Sequence, residues 1–444
     1  MLLTQIPAHY QKRREKLMQR HPGAVFILPS APELIRNGDV HHPFRQDSSF
    51  YYLSGFDEPG SFLILGSENS APSRKSKMTL FVQPKDPEKE MWEGERYGRE
   101  GALSVFGADE AFVNSELEAR LPDLLKGAER IFYRLGHSEE MDRRILAILE
   151  VVRRRLGRSG RGLIPIEDPQ VAIGEMRLYK EPEELDLLRK ACQITAHAHR
   201  TAMQELRPGM NESEIEALVD YQFRKNGCQR LGYGSIVAGG KNAACLHYRS
   251  NNETLRSGEL LLIDAGGEYG FYTSDITRTF PIGKTFSKAQ SQAYELVLSV
   301  QKAGIAMTKP GAKLPEIHKT TCELLVDGLL SLGLLKGNRV ELLKTSAFRR
   351  FYPHNTSHWL GLDVHDAGLY TQEGEPRKLE PGMTFTIEPG FYVQPGDREA
   401  PEAFRNIGIR IEDDILVTTN GCENLTHEAP KEISEIETLR SKAF

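Results

Sequence analysis

Cysteine is scarce in this chain and is not arranged for cross-linking. Cys192, Cys228, Cys245, Cys322 and Cys422 are odd in number, scattered, and form no Cys-x-x-Cys pair. That excludes a disulfide framework and a thiolate zinc finger, and reads as reduced thiols in a cytoplasmic protein. Long apolar runs are missing too. No stretch is long enough to span a bilayer, and Met1 to Arg20 lacks the apolar core of a secretory leader, so no membrane association is expected. A basic surplus is also absent. With 57 Lys+Arg against 62 Asp+Glu the formal net charge is −5, which argues against nucleic acid or another polyanion as partner.

What is present is a globular composition. The 444 residues are 39% hydrophobic and 27% charged, enough for two or three domains with a substantial core. In the first part, strand-like runs at Ala24–Leu28 and Ser61–Leu65 alternate with helix-like runs, which predicts an α/β domain. Tyr10 to Gln19 predicts a surface helix with a basic face. Asp142 to Leu156 predicts a helix stopped by Gly157, with Arg153, Arg154 and Arg155 favourably placed at its C-terminal end. Gly157 to Gly174 reads as the linker, so the domains are expected over residues 1–172 and 173–444. A long amphipathic helix then begins at Pro182. His197 and His199 on it stand two residues apart and face different ways, so they read as structural or surface groups. Pro430 to Phe444 reads as a terminal helix.

The chemistry lies in acids embedded in apolar, strand-like runs. These are Leu260-Leu-Leu-Ile-Asp264, Ser274-Asp275-Ile-Thr277, Thr386-Ile-Glu388-Pro-Gly390 and Ile409-Arg-Ile-Glu412. A buried carboxylate is costly unless something compensates it, and several together point to bound cations. The turn-rich stretch Gly266 to Gly270 predicts a hairpin centred between Tyr269 and Gly270. Asp264 and Asp275 would then face each other about 4.5–5.5 Å apart at Cα, where two carboxylates repel unless a proton or cation intervenes. Glu412 follows Arg410 by two residues, so both point to one face of a strand and Ile409 and Ile411 to the other. Ile263-Asp-Ala-Gly266 and Ile387-Glu-Pro-Gly390 echo each other weakly, each followed by a further acid.

Three histidines, His354, His358 and His365, fall within twelve residues, and His247 is a further candidate. Four carboxylates with one imidazole make a hard, oxygen-rich donor set. It suits Mn²⁺ or a similar first-row ion better than a thiolate-type zinc site, and four negative charges balance two divalent ions.

The ordered set of motifs resembles the pita-bread metallopeptidases, in particular the aminopeptidase P family. The likeness rests on Leu262-Ile-Asp-Ala-Gly266, Ser274-Asp-Ile-Thr-Arg-Thr-Phe-Pro281, Ser357-His-Trp-Leu-Gly-Leu-Asp-Val-His-Asp366, Glu380-Pro-Gly-Met383, Ile387-Glu-Pro-Gly390 and Gly408-Ile-Arg-Ile-Glu-Asp-Asp414. Pro43 to Gly55 resembles the amino-terminal domain of the same family. The resemblance implies an α+β chain: an N-terminal α/β domain, then a pita-bread domain whose curved antiparallel sheet is backed by helices. It implies Asp264, Asp275, His358, Glu388 and Glu412 as ligands of two divalent ions, most naturally Mn²⁺. It places Glu388, His365 and His247 in catalysis, and His354, Tyr233, Arg410 and Tyr392 around the substrate or the ligands. Trp92 matches a position that reaches a substrate pocket from a neighbouring subunit; the plain alternative is a core aromatic. Asn355 stands where the family has glycine, beside His354. The implied reaction releases the first residue from peptides with proline second, by a homodimer or homotetramer. The alternatives are an Xaa-Pro dipeptidase and a non-catalytic, protein-binding form of the fold.

Overall fold

The computed structural model describes residues 7–67, 76–157 and 162–443. The chain divides into two compact units, one up to Met176 and one from Arg177 onward.

The first unit is built on a mixed six-stranded sheet. In spatial order its strands are Glu110–Val113, Ser76–Val82, Phe62–Ser67, Ala24–Pro29, Arg130–Phe132 and Ile166–Glu167. Ala24–Pro29 runs antiparallel to Phe62–Ser67 and parallel to Arg130–Phe132. Val25, Ile27 and Ile64 pack on Ile145, Leu149 and Val152 of the Glu139–Leu156 helix, which Ser138 caps and Gly157 closes.

Three expectations need correction here. The His9–Arg20 helix buries part of its basic face: Arg13 and Arg14 donate to the carbonyls of Tyr52 and Leu53 at 3.3 and 2.8 Å. The Gly157–Gly174 stretch is not simply a linker, because Ile166–Glu167 adds the sixth strand and Pro169–Arg177 is a helix. A two-residue strand leaves no period to read in a sequence. Trp92 is no core aromatic. It lies on the Pro87–Glu93 helix, which buries none of its residues, and is 85% exposed.

In the second unit every strand pairing is antiparallel. The helices Pro182–Glu205, Glu212–Lys225, Lys288–Met307 and Leu314–Ser331 share one apolar core with the strands. Alternation sorts the faces. Along Leu260–Ala265, the residues Leu261, Ile263 and Ala265 join the helix-backed core. Leu262 turns the other way, against Ile236, Ala238 and Ala243. Asp264 therefore emerges on the face away from the helices. The C-terminal Ile433–Lys442 helix packs on the same core through Ile436 and Leu439.

The predicted hairpin register is off by two residues. Asp264 pairs with Thr277, and Tyr269 with Tyr272. The turn residues are Gly270 and Phe271, both with positive φ, 56° and 72°. That two-residue turn matches the twist of the flanking strands and sets the register.

Candidate metal centre

Four elements deliver the acids, and only Asp264 lies inside a strand. Asp275 sits in the break before Ile276–Pro281. Glu388 lies between Thr384–Ile387 and Gly390–Tyr392, and Glu412 between Gly408–Arg410 and Asp413–Val417. His358 lies in irregular chain joined to the sheet by the Trp359–Phe385 bridge. The sequence predicts strand runs around all four acids. An interrupted ladder lets a strand bend and re-aim a side chain, which a continuous ladder would hold in strict alternation.

The side chains converge. Ligand atoms of Asp275, His358 and Glu412 lie within 4.8 Å of one another and form a group able to hold a metal ion. His358 Nε2 stands 3.4 Å from Asp275, 3.6 Å from Glu388 and 3.9 Å from Glu412. The Tyr233 hydroxyl donates to Asp264 at 2.6 Å and also contacts Asp275. Arg410 donates to Asp264 at 2.5 Å, to Tyr392 at 3.0 Å and to Thr277 at 3.0 Å; Thr277 in turn donates to Glu412 at 2.6 Å. Arg410 and Glu412 do share a face, as their spacing predicts, but both are buried, so they are no surface pair.

The protonation pattern follows from burial and crowding. Burial, then Asp275, Glu388 and Asp264, push the Glu412 carboxyl well above its usual range. Glu388 is pushed up to about 7 by burial and by Asp275 and Asp264, against His358 and Arg410. Burial raises Asp264 although Arg410 opposes it. Burial acts upward on Asp275 also, but the His358 and Tyr233 contacts outweigh it and bring that group down. Against the opposite pull of burial, His358 rises to about 9 through Asp275 and Glu388.

These residues fit divalent cations. His358 Nδ1–H is directed at the Trp359 carbonyl, 3.1 Å away, so Nε2 is the nitrogen that faces the acids and would give up its proton to bind a cation. That tautomer is the one a metal-binding imidazole needs. The acids around it outnumber the cations, Arg410 and His358, so positive charge is what the site calls for.

A pH dependence follows. Glu388 is raised from 4.5 to about 7 in the fold, so its share of stability is full below 4.5 and lost as pH rises through about 7. Glu412 acts in the same direction. His358 follows: its share is present below 6.5 and lost as pH rises through about 9. His354, lowered to about 3 by burial and Arg410, works oppositely but only as pH falls below 6.5. The metal-free protein should therefore lose a few degrees of thermal midpoint between neutral pH and about pH 9, and saturating divalent ion should flatten the decline. Calorimetry in chelator across that range checks it; a rising midpoint would contradict the assignment.

The acids open into a cavity of about 1160 Å³, which His247, His354, Asn355 and His365 also line. His354 Nδ1 donates to the Asn355 carbonyl at 2.8 Å, leaving Nε2 to accept from Tyr392 at 2.9 Å. His365 meets His358 edge-on, ring centres 4.3 Å apart, and burial and His358 lower its pKa. Asp366 fixes that meeting. Its backbone N–H bonds to the Trp359 carbonyl at 2.9 Å, and its carboxylate is clamped by Arg177 and, at 3.0 Å, by Lys180. Gly361 is required, since a Cβ there would overlap the Asp366 carboxylate.

Sequence reasoning missed Thr277 as the bridge between Arg410 and Glu412, and Arg177 and Lys180 as the clamp on Asp366. Thr277 stood inside a quoted motif, but nothing in its spacing marks a bridge. Arg177 and Lys180 are 189 and 186 residues from Asp366 along the chain, so only the fold joins them.

Comparison with known proteins agrees with this geometry. Residues 186–419 match the model of metallopeptidase family M24, and residues 10–133 that of the aminopeptidase P N-terminal domain. The chain belongs to the aminopeptidase P group of family M24, the pita-bread metallopeptidases. It is 40% identical to the Xaa-Pro aminopeptidase of Escherichia coli strain K12 over 97% of both chains. It is likewise 40% identical to the Haemophilus influenzae Xaa-Pro aminopeptidase, over 97% of this chain and 96% of that one. The solved structure of Pseudomonas aeruginosa aminopeptidase PepP superposes with a TM-score of 0.94 at 43% identity, covering 99% of each chain. The two-unit α+β architecture expected from the sequence is the one found. No helix among the described residues is long and apolar enough to cross a membrane.

Proposed function

We propose that this protein is a metal-dependent Xaa-Pro aminopeptidase that releases the first residue from peptides with proline second. The observation that carries the reading is the buried group of Asp275, His358 and Glu412, with Asp264 and Glu388 beside it, at the base of one cavity. Asp264, Asp275, His358, Glu388 and Glu412 would hold two divalent ions, and the oxygen-rich set favours Mn²⁺. Bound there, the ions supply Lewis acidity and ready water for attack at neutral pH.

The chain's own groups do the rest. Glu388, beside His358 and facing the cavity, is placed to act as general base. It takes a proton from the attacking water and passes it to the prolyl nitrogen as the C–N bond breaks. His365, its pKa lowered, is a neutral imidazole that donates to the developing oxyanion, with His247 across the same cavity. Arg410, Tyr233 and Tyr392 hold the carboxylates in place, and His354 lines the proline side beside Asn355. The scissile bond is a tertiary amide without an N–H, so a site that relies on that donor holds it poorly.

The deciding experiment is a panel of short peptides, with and without Mn²⁺. Release from Xaa-Pro-Yaa peptides should exceed that from Xaa-Ala-Yaa by at least about 100-fold. Equal rates would refute the reading, and cleavage confined to dipeptides would make the protein a dipeptidase. His365→Ala should lower kcat about 10²–10⁴-fold at parental metal content; loss of metal together with activity would make His365 a ligand instead. The same reading carries a homodimer or homotetramer in the cytoplasm. Met91 and Trp92, 81% and 85% exposed, are apolar surface that such an assembly would cover.

A further inference from the structure

One buried carboxylate outside the metal group is bonded wholly to the segment that carries His247. Glu212, the first residue of the Glu212–Lys225 helix, is 0% exposed. Its Oε1 accepts from the Gly239 N–H at 2.7 Å and Asn242 Nδ2 at 3.0 Å. Its Oε2 accepts from the Tyr248 hydroxyl and the Glu253 N–H, both at 2.9 Å. All four partners are neutral donors, and all come from residues 239–253.

That segment needs such an anchor. It starts at the last residue of the Ile236–Gly239 strand and, apart from one short helical turn, Gly240–Ala244, has no further regular structure; His247 lies exposed within it. The donors flank His247 on both sides, and one is its immediate neighbour. Next to the far end, buried Asn251 accepts from the Val237 N–H at 3.0 Å and donates to the Ser235 carbonyl at 2.8 Å. A side chain on irregular backbone is only as well placed as that backbone, and a misplacement of about 1 Å in a reacting group costs about 10²-fold in rate. Only a carboxylate meets this demand. It offers four acceptor sites and no donor, whereas an amide would turn N–H groups toward N–H groups.

We propose that Glu212 is a positioning residue that holds the 239–253 segment so that His247 faces the reacting peptide. The inference rests on the part given to His247 under the aminopeptidase reading. It does not require Glu212 to touch substrate or metal.

The test compares Glu212→Gln, His247→Ala and the double variant in the full-length chain with Mn²⁺. Glu212→Gln should lower kcat about 10–100-fold with KM and metal content near parental values. The double variant should be no slower than His247→Ala, because both changes act on one group. A second readout is independent of activity. In the metal-free protein, the Gly239 and Glu253 amides of Glu212→Gln should exchange at least about tenfold faster, while the Leu260–Ala265 and Ile276–Pro281 strands keep parental protection. Unchanged exchange at those amides, additive losses in the double variant, or faster exchange spread through the strands of a folded Glu212→Gln would each overturn the proposal. So would parental turnover in His247→Ala. A parent that cleaves no Xaa-Pro peptide overturns the aminopeptidase reading instead, and the exchange comparison still decides whether Glu212 holds the segment. If Glu212→Gln does not fold, Tyr248→Phe, which removes one donor of the four, carries the same comparison with smaller shifts.

Discussion

Replacing Glu412 with alanine is expected to abolish peptide hydrolysis, a loss of more than about 10⁴-fold and so beyond the usual size of a general acid–base contribution, while the metal-free protein gains stability. The two effects have one cause. Glu412 is buried among Asp275, Glu388 and Asp264, and that company pushes its carboxyl well above its ordinary range. Removing it relieves repulsion in a site built to receive positive charge. Thr277, which donates to Glu412 at 2.6 Å, still accepts from Arg410 at 3.0 Å, and its freed hydroxyl proton faces the space the shortened side chain leaves, which is large enough for water. The metal-free variant should melt at or above the parental temperature, yet gain little on adding Mn²⁺, since a ligand is gone. Metal analysis, thermal melting with and without Mn²⁺ and a peptide assay on one preparation check all three. Parental turnover in the folded variant would remove Glu412 from the site.

The second large effect is on stability. Arg278→Met should destabilise the protein by about 3–5 kcal/mol, the scale of a buried ion pair that loses one partner. Arg278 is 0% exposed and donates to Asp413 at 2.6 Å. Its other N–H groups reach the carbonyls of Glu412 at 2.6 Å, Ala429 at 3.0 Å and Pro430 at 3.1 Å. One guanidinium thus ties the proposed ligand Glu412 and the start of the strand after it to the segment leading into the C-terminal helix. Methionine matches much of the length and none of the donors. Lysine should not rescue, because an ammonium cannot reach carbonyls on both sides as the planar fork does. Urea unfolding followed by circular dichroism, with Mn²⁺ saturating, gives the difference. A change below about 1 kcal/mol would show that Lys431, 2.5 Å from Asp413, suffices as partner.

Much of this site was legible along the chain because its chemistry is written in residue types that apolar runs otherwise avoid. Asp264 and Glu412 stand out against Leu260–Ile263 and Ile409–Ile411, and the period-two sorting that puts Arg410 with Glu412 holds in three dimensions. The Asp264–Asp275 pairing failed by two residues because the turn falls at Gly270 and Phe271, and a positive φ at Phe271 has no mark in residue type. Trp92 could not be placed from its motif either, since an aromatic is as much at home on a surface that meets a partner as in a core.

The sequence by itself determined the donor inventory, the helices with strong periodicity and caps, and the family. Each of these depends on residue identity within a few turns of chain. Only the tertiary structure decided which carboxylate shares a proton or a hydrogen bond with which. Thr277 joins Arg410 to Glu412, Arg177 and Lys180 clamp Asp366, and Glu212 holds Tyr248 next to His247 because strands and helices distant in sequence pack face to face. Local propensity does not encode such contacts. They follow from burying apolar faces, and the polar groups carried inward must then find partners in the packed interior.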